Sequence, residues 1–166
     1  MPIPKPFKAD ESTGLYAVDQ PLSQQAILNM ANYLARQKLK KGAALNTPAL
    51  THAYLQTLLQ TLEHEVFAAV WLDQQHRVIK YEELFRGTVN QASVYPRELV
   101  KSALKLNAAA VILVHNHPSG NPKPSEADKA ITKQIKQALA LVEVRVLDHI
   151  VVGLEGYVSL AESGYF

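Results

Sequence analysis

Residues 108–128 read AAAVILVHNHPSGNPKPSEAD, and this stretch carries the strongest signal of fold and chemistry in the 166-residue chain. Its apolar part, Ala108–Val114, predicts a buried strand, which His115 and His117 follow directly. Side chains alternate along a strand, so the two histidines point to the same side if the strand continues. Asp128 comes eleven residues after His117, behind a loop rich in Pro, Gly and Ser. Two imidazoles, one carboxylate and water would form the shell of a catalytic zinc ion.

The same residues also have interpretations without a metal. Ser125 and Asp128 form an S-x-x-D pattern ahead of the apolar positions of a predicted helix, which is a helix-capping signature. The prolines and the glycine at 118–124 are common in ordinary loops. The complete pattern, H-x-H-x7-S-x2-D between a buried strand and a helix start, favours the metal site, because four residues are constrained at fixed offsets.

Hydrophobic periodicity predicts helices and strands that alternate along most of the chain. The predicted helices lie at 23–41, from 47 onward, from 96 onward and at 126–141, and the predicted strands at 65–72, 78–86, 108–114, 144–146, 150–152 and 157–160. The polar turn Asp73–His76 makes a hairpin the simplest connection between the first two strands. Alternating elements of this kind predict an α/β fold, with a mixed β-sheet flanked by helices.

The N-terminal part is expected to differ from the rest of the chain. Residues 1–44 are predicted to form an arm and the first helix, and residues 45–166 one domain. Within the arm, residues 1–20 are predicted to be irregular, with a short extended piece at 15–18. The length and the hydrophobic content of 48% suit one complete core and give no sign of two domains.

Composition excludes several kinds of site and of protein. The chain has no cysteine, so disulfides, thiolate zinc ligands and cysteine nucleophiles are ruled out, and any zinc must use nitrogen and oxygen. The glycine-rich loops of P-loop and dinucleotide-binding proteins and the G-x-S-x-G elbow are also missing. No stretch approaches the ~18 apolar residues of a membrane span, and the start of the chain has no apolar signal core. We expect a cytoplasmic protein without a membrane partner.

The charge of the chain gives little support to nucleic-acid binding. A formal net charge of +2 is far below the Lys/Arg excess of a dedicated nucleic-acid binder. The densest basic stretch, Arg36–Lys41, ends just before Gly42, where cations interact favourably with the dipole at a helix C-terminus. We prefer this interpretation to a DNA-binding surface, although charge alone does not exclude DNA.

The motif and the segments around it resemble a known family. The H-x-H-x7-S-x2-D string is similar to the JAMM (MPN-plus) metalloprotease signature, and residues 45–166 resemble the RadC family in particular. The matching segments are Glu65–Phe67, Leu72–Asp73, Gly87–Thr88, Pro96–Glu98, Ala103–Leu104, His115–Asp128 and Leu147–His149. The resemblance implies a JAB/MPN-like α/β/α sandwich of the cytidine-deaminase-like kind, with Zn²⁺ bound by His115, His117 and Asp128.

The resemblance also implies a catalytic glutamate and a catalytic serine. JAMM proteins take the glutamate from a segment just before a hydrophobic strand, and Glu65 matches that position better than Glu63, which stays the alternative. A carboxylate beside an open metal position can take a proton from water and pass it to the leaving group. Ser125, at the position of the family's serine, would donate a hydrogen bond to the developing oxyanion.

These residues predict a zinc-dependent metallopeptidase-like hydrolase, in which zinc-activated water attacks an amide or isopeptide bond of a protein or peptide. One alternative is a DNA-associated protein, a repair accessory or nuclease, because RadC-like proteins carry a historical DNA-repair label. The residues before position 45 show one predicted helix and no convincing Gly-rich helix-hairpin-helix, which weighs against DNA as a partner. The other alternative, a non-catalytic MPN scaffold, is disfavoured because every metal-ligand position is filled. Substrate and oligomeric state stay open.

The other histidines carry weaker predictions. His52 and His76 stand in a polar helix and a polar turn, so both are expected to face solvent. His149, next to Asp148, has two interpretations: it orients a metal ligand through a ring nitrogen, or the two residues form a structural pair.

Overall fold

The computed structural model describes residues 2–45, 47–87 and 94–166. In chain order its strands are β1 (Lys8–Asp10), β2 (Leu15–Ala17), β3 (Val66–Leu72), β4 (Val78–Arg86), β5 (Ala110–Asn116), β6 (Arg145–Gly153) and β7 (Gly156–Ser159). Its helices are α1 (Gln24–Lys38), α2 (Pro48–Leu59), α3 (Pro96–Leu106) and α4 (Glu126–Ala140). In these ranges no helix combines the length and the apolar character needed to cross a membrane. Thr88, part of one matching segment, lies outside the described residues.

Five of the strands form one mixed sheet in the order β4-β3-β5-β6-β7. The pair β5 and β6 is parallel, and the other neighbours are antiparallel. Helix α4 makes the crossover that a parallel pair requires. Every residue of β3 and β5 is buried, as expected for strands that are covered on both faces. The predicted mixed sheet is therefore confirmed.

Helices cover both faces of this sheet, which makes the fold the α/β/α sandwich that was predicted. On one face, Val70 of β3 packs in a cluster with Leu55 of α2. On the other face, Leu113 of β5 packs in a cluster with Leu99 of α3 and Ile135 of α4. All five side chains are completely buried, and each contributes about 1.5–3 kcal/mol relative to an exposed position.

The turn between β3 and β4 shows why the predicted hairpin forms. The Asp73 carboxylate accepts hydrogen bonds from the backbone N–H groups of Gln75 at 2.8 Å and Arg77 at 2.9 Å. Between them, His76 takes a positive φ of 56° and stays exposed, so its predicted solvent exposure is confirmed. Side-chain bonds of this kind stabilise a tight turn from within, and they need no help from the core.

The N-terminal arm is more regular than predicted. Strands β1 and β2 form an exposed antiparallel hairpin, so the extended piece near residue 15 is found, whereas the irregular structure predicted for Lys8–Asp10 is wrong. The Asp10 carboxylate stabilises the turn, because it accepts hydrogen bonds from the hydroxyl groups of Ser12 at 2.6 Å and Thr13 at 2.8 Å. These bonds lower the pKa of Asp10 to about 2. Local polar bonds thus order a hairpin whose own side chains form no core.

Helix α1 ends three residues earlier than predicted, at Lys38 rather than Lys41. Arg36 and Lys38 lie in its last turn, where their charges meet the negative end of the helix dipole. Arg36 and Lys38 thus agree with the helix-dipole interpretation, whereas Lys40 and Lys41 lie beyond the end of the helix.

His52 is buried, so the prediction that it faces solvent is wrong. Its side chain is 3% exposed, its Nε2 lies 3.3 Å from Asp148 Oδ2, and its ring packs against Tyr157. Asp148 also accepts a hydrogen bond from the Ser159 hydroxyl at 2.7 Å. Burial alone would raise the pKa of Asp148, but these hydrogen bonds hold it below its ordinary value. A buried imidazole is stable here because a carboxylate 96 residues away pairs with it.

Candidate metal centre

Strand β5 directs His115 and His117 to the α4 side of the sheet. His115, 1% exposed, continues the row of Val111 and Leu113, which pack against the helices on that face. Beyond the end of β5, the backbone N–H of His117 still donates to the carbonyl of Val152 at 2.7 Å. The parallel pairing with β6 therefore extends through His117, and both imidazoles lie on one face, as the strand alternation predicts.

Asn116 points the other way and ties β5 to the segment that precedes β3. Its side-chain oxygen accepts a hydrogen bond from the Val66 N–H at 2.8 Å, and its amide nitrogen donates to the His64 carbonyl at 3.1 Å. These bonds hold Glu65, which lies between His64 and Val66, at the end of the sheet where the histidines stand. The sequence does not predict this role, because the only signal of Asn116 is its place between two histidines.

The loop after His117 crosses the end of β6 and holds His117 from the outside. His117 Nδ1 lies 3.0 Å from the carbonyl oxygen of Asn121. The Glu155 N–H donates to the Gly120 carbonyl at 3.1 Å, which pins the loop to the β6–β7 turn. The approach is so close that a Cβ atom on Gly153 would lie 2.1 Å from Gly120 O. Only glycine at position 153 lets the loop reach this place.

Ser125 and Asp128 form a capping box at the start of α4. Ser125 Oγ accepts from the Asp128 N–H at 3.1 Å, while both the hydroxyl and the N–H of Ser125 donate to Asp128 Oδ2 at 2.6 Å. The capping interpretation is therefore correct, and it does not compete with the metal interpretation. The same bonds that start the helix also orient the Asp128 carboxylate towards the histidines.

The three side chains predicted to bind zinc come together, with one potential ligand atom each within 4.8 Å of the others. His115 Nε2 lies 3.0 Å from His117 Nε2 and 3.2 Å from Asp128 Oδ1, and His117 Nε2 lies 3.4 Å from Asp128 Oδ2. Ligand atoms about 2.0–2.1 Å from a tetrahedral zinc ion would stand about 3.3 Å apart. The nitrogen and oxygen donors and their spacing fit zinc, and three such ligands would leave its fourth position open.

The electrostatics of this cluster follow from its mutual contacts. Burial alone would raise the pKa of Asp128, but its contacts with the His115 and His117 imidazoles hold it well below its ordinary value. The hydrogen bond to Asp128 in turn raises the pKa of His117, against the opposing effect of its burial. The carboxylate thus stays ionised, which is the form that binds a cation.

A further histidine and a threonine stand directly behind this cluster. His149 of β6 places its Nε2 2.9 Å from His115 Nδ1, and its own Nδ1 lies 2.5 Å from the hydroxyl oxygen of Thr132. Complete burial holds the pKa of His149 well below its ordinary value. Of the two interpretations of His149, contact with a predicted ligand is the one found, while Asp148 pairs with His52 on the opposite face. The sequence does not predict the contact of Thr132 with His149, because the only signal of Thr132 is its position four residues after Asp128.

The two candidate glutamates differ in their surroundings. Glu65 is half-buried and its backbone carbonyl accepts a hydrogen bond from the Gly87 N–H at 2.8 Å, whereas Glu63 is exposed. The charge of Glu65 adds to the effects that raise the pKa of His117, the largest of which is the Asp128 hydrogen bond. The charge of Glu65 thus reaches the cluster formed by His115, His117 and Asp128.

Comparison with known proteins shows which family of proteins the chain resembles. A family model of the RadC-like JAB domain matches residues 45–165. A "UPF0758 protein" from Vibrio cholerae is 50% identical over 150 residues, 90% of this chain and 94% of that protein. Proteins of the same name from Marinobacter nauticus and Halorhodospira halophila are 53% and 56% identical over 140 residues, 84% of this chain but 62% of each relative. The chain thus spans less than two thirds of these two relatives. With residues 45–165 matched by the family model and 50% identity to a relative over 90% of its length, the chain belongs to the RadC-like JAB domain family.

Proposed function

We propose that this chain is a zinc-dependent hydrolase of the JAMM type that cleaves an amide or isopeptide bond in a protein or peptide. The observation that carries the proposal is the convergence of His115 Nε2, His117 Nε2 and the Asp128 carboxylate at separations of 3.0–3.4 Å. Three nitrogen and oxygen donors with one position left open are typical of catalytic zinc sites, whereas structural sites use four protein ligands.

Each ligand is held by a second contact that suits metal binding. His117 Nδ1 faces the Asn121 carbonyl and His115 Nδ1 faces His149, which leaves both Nε2 atoms turned to the centre. Asp128 is held by Ser125. Ligands whose far side is fixed in this way bind a metal without having to be reorganised. A zinc ion held there would lower the pKa of water towards ~7 and polarise a substrate carbonyl.

Glu65 and Ser125 complete the proposed reaction. Glu65 takes a proton from the attacking water and delivers it to the leaving nitrogen, as a half-buried carboxylate beside the cluster is able to do. Ser125 donates a hydrogen bond to the carbonyl oxygen while negative charge develops on it. The Ser125 hydroxyl now donates to Asp128 Oδ2, so this role requires it to turn from Asp128 to the substrate.

The test is cleavage of fluorogenic peptides and isopeptide-linked lysine substrates by the zinc-loaded chain. Glu65→Gln is expected to abolish turnover while zinc stays bound, because the amide cannot carry the proton. Glu63→Gln is the matched control, since it removes an exposed carboxylate two residues away and should leave turnover unchanged. No cleavage by the zinc-loaded wild-type chain, or equal losses in both variants, would refute the proposal.

A further inference from the structure

A chain of hydrogen bonds leaves the far side of His115 and returns to Asp128. His115 Nδ1 lies 2.9 Å from His149 Nε2, and His149 Nδ1 lies 2.5 Å from Thr132 Oγ1. Thr132 Oγ1 in turn lies 2.5 Å from the backbone carbonyl oxygen of Asp128. This series of hydrogen bonds therefore links β5, β6 and α4. It begins at His115 and ends at Asp128, two residues that we propose as metal ligands.

The Asp128 carbonyl oxygen, the last acceptor, sets the direction of every hydrogen bond in this series. A carbonyl oxygen only accepts, so Thr132 uses its hydroxyl hydrogen on Asp128, and its oxygen accepts from His149 Nδ1–H. The bare Nε2 of His149 then accepts from His115 Nδ1–H. A neutral imidazole carries one ring proton, so His115 Nε2 is left bare, as a metal ligand must be.

Burial keeps water from replacing any partner in this series of hydrogen bonds. His149 is 0% exposed, His115 1% and Thr132 2%, so bulk water does not reach the bonds that join His115 Nδ1, His149 and Thr132. Each donor between His115 Nδ1 and Thr132 must therefore find its acceptor among these protein groups.

We propose that Thr132 and His149 are positioning residues that select the metal-binding tautomer of His115, an inference that rests on the zinc site proposed above. In the reverse arrangement the Thr132 hydroxyl would donate to His149 Nδ1, and each ring proton would move to the other nitrogen. His115 Nε2 would then carry a hydrogen and could not bind a cation. The bond from Thr132 to the Asp128 carbonyl disfavours this state, because the reverse arrangement would break it.

The decisive variant is Thr132→Val, which keeps the shape of the side chain and removes the hydroxyl. His149 Nδ1–H would lose its acceptor in a buried place, so His149 is expected to move its proton to Nε2 and donate to His115. Thr132→Ser keeps the hydroxyl and is expected to keep the wild-type arrangement. Thr51→Val is the matched control. Thr51 is also a buried helical threonine, and its hydroxyl donates to the Thr47 carbonyl at 3.1 Å, but it takes no part in this series of hydrogen bonds.

Two measurements test the inference, and the first needs no metal. Long-range proton–nitrogen NMR of the ¹⁵N-histidine-labelled, zinc-free protein reports which nitrogen of each ring carries hydrogen. We expect hydrogen on Nδ1 of both His115 and His149 in the wild type, Thr132→Ser and Thr51→Val, and on Nε2 of both in Thr132→Val. Zinc affinity, measured by competition with a chromophoric chelator, should fall about 10- to 100-fold in Thr132→Val alone, the usual effect of losing an outer partner of a ligand.

Either of two results would overturn the inference. The first is hydrogen on His115 Nε2 in the folded wild type. This measurement can be made even if Thr132→Val does not fold. The second is a folded Thr132→Val with wild-type tautomers or wild-type zinc affinity. A wild-type chain that takes up no zinc would instead refute the proposed function, and the zinc-free spectra would still decide the tautomers.

Discussion

Gly153 provides a sharp test of how the loop holds His117. A Cβ atom at this position would meet Gly120 O at 2.1 Å, Gly120 C at 2.7 Å and Pro122 N at 2.9 Å. All three are backbone atoms, so no flexible side chain can yield, and in Gly153→Ala the loop must retreat by about 1 Å. That movement would break the contact between His117 Nδ1 and the Asn121 carbonyl.

The expected magnitude follows from these contacts. Overpacking of this kind costs about 1–3 kcal/mol, and the lost hydrogen bond adds about 1 kcal/mol. For a chain of this size, the total of about 2–4 kcal/mol lowers the Tm by about 5–12 °C. Since His117 also loses the partner that orients it, zinc affinity should fall about 10- to 100-fold.

The assay is thermal unfolding of the zinc-free protein together with zinc titration. Gly14→Ala is the control, because a Cβ at Gly14 would meet no atom of the described residues within 4 Å. It carries only the backbone strain of its φ of +71°, roughly 1 kcal/mol, and should bind zinc like the wild type. A Gly153→Ala chain with wild-type Tm and wild-type zinc affinity would show that the loop does not lie against β6 in this way.

Two further predictions concern Ser125 and Asp148. Ser125→Ala should lose about 1 kcal/mol of stability as a missing helix cap and slow turnover about 100- to 1,000-fold with zinc still bound. Ser23→Ala, which removes the cap of α1 with its 3.1 Å bond from the Ala26 N–H, should cost similar stability and no activity; equal activity in both variants would leave Ser125 as a cap alone. Asp148→Asn should cost about 3 kcal/mol at pH 7, because buried donors lose a charged acceptor. Since the pKa of Asp148 is lowered from 3.8 by folding, this advantage of the wild type should be fully present above pH ~4 and fade below it in urea titrations; a difference that does not change with pH would contradict the assignment.

The sequence predicted those parts of the site that depend on local pattern. The apolar run that becomes β5 and the alternation of its side chains place His115 and His117 on one face. The S-x-x-D string at the start of α4 predicted both a helix cap and a carboxylate near the histidines. Each of these signals lies within a few residues along the chain, which is the range over which periodicity and capping act.

What the sequence could not predict depends on contacts between distant segments. His52 faces the core because Asp148, 96 positions away, pairs with it. The local sequence around His52 is polar and therefore predicted an exposed side chain. Thr132 and His149 are 17 positions apart in sequence. They meet only because α4 connects β5 to β6 and the two strands pair side by side. A resemblance to a family indicates which residues stand at the centre, but the partners behind them emerge only from the packing.

The most direct test of the central claim is the zinc content of the purified, tag-free chain, measured by mass spectrometry after identical dialysis of each variant. We predict about one zinc per chain in the wild type, in Glu65→Gln and in the exposed control His76→Ala, and none in His117→Ala. A wild-type chain that holds no zinc even after reconstitution, or a His117→Ala chain that holds as much as the wild type, would contradict the account.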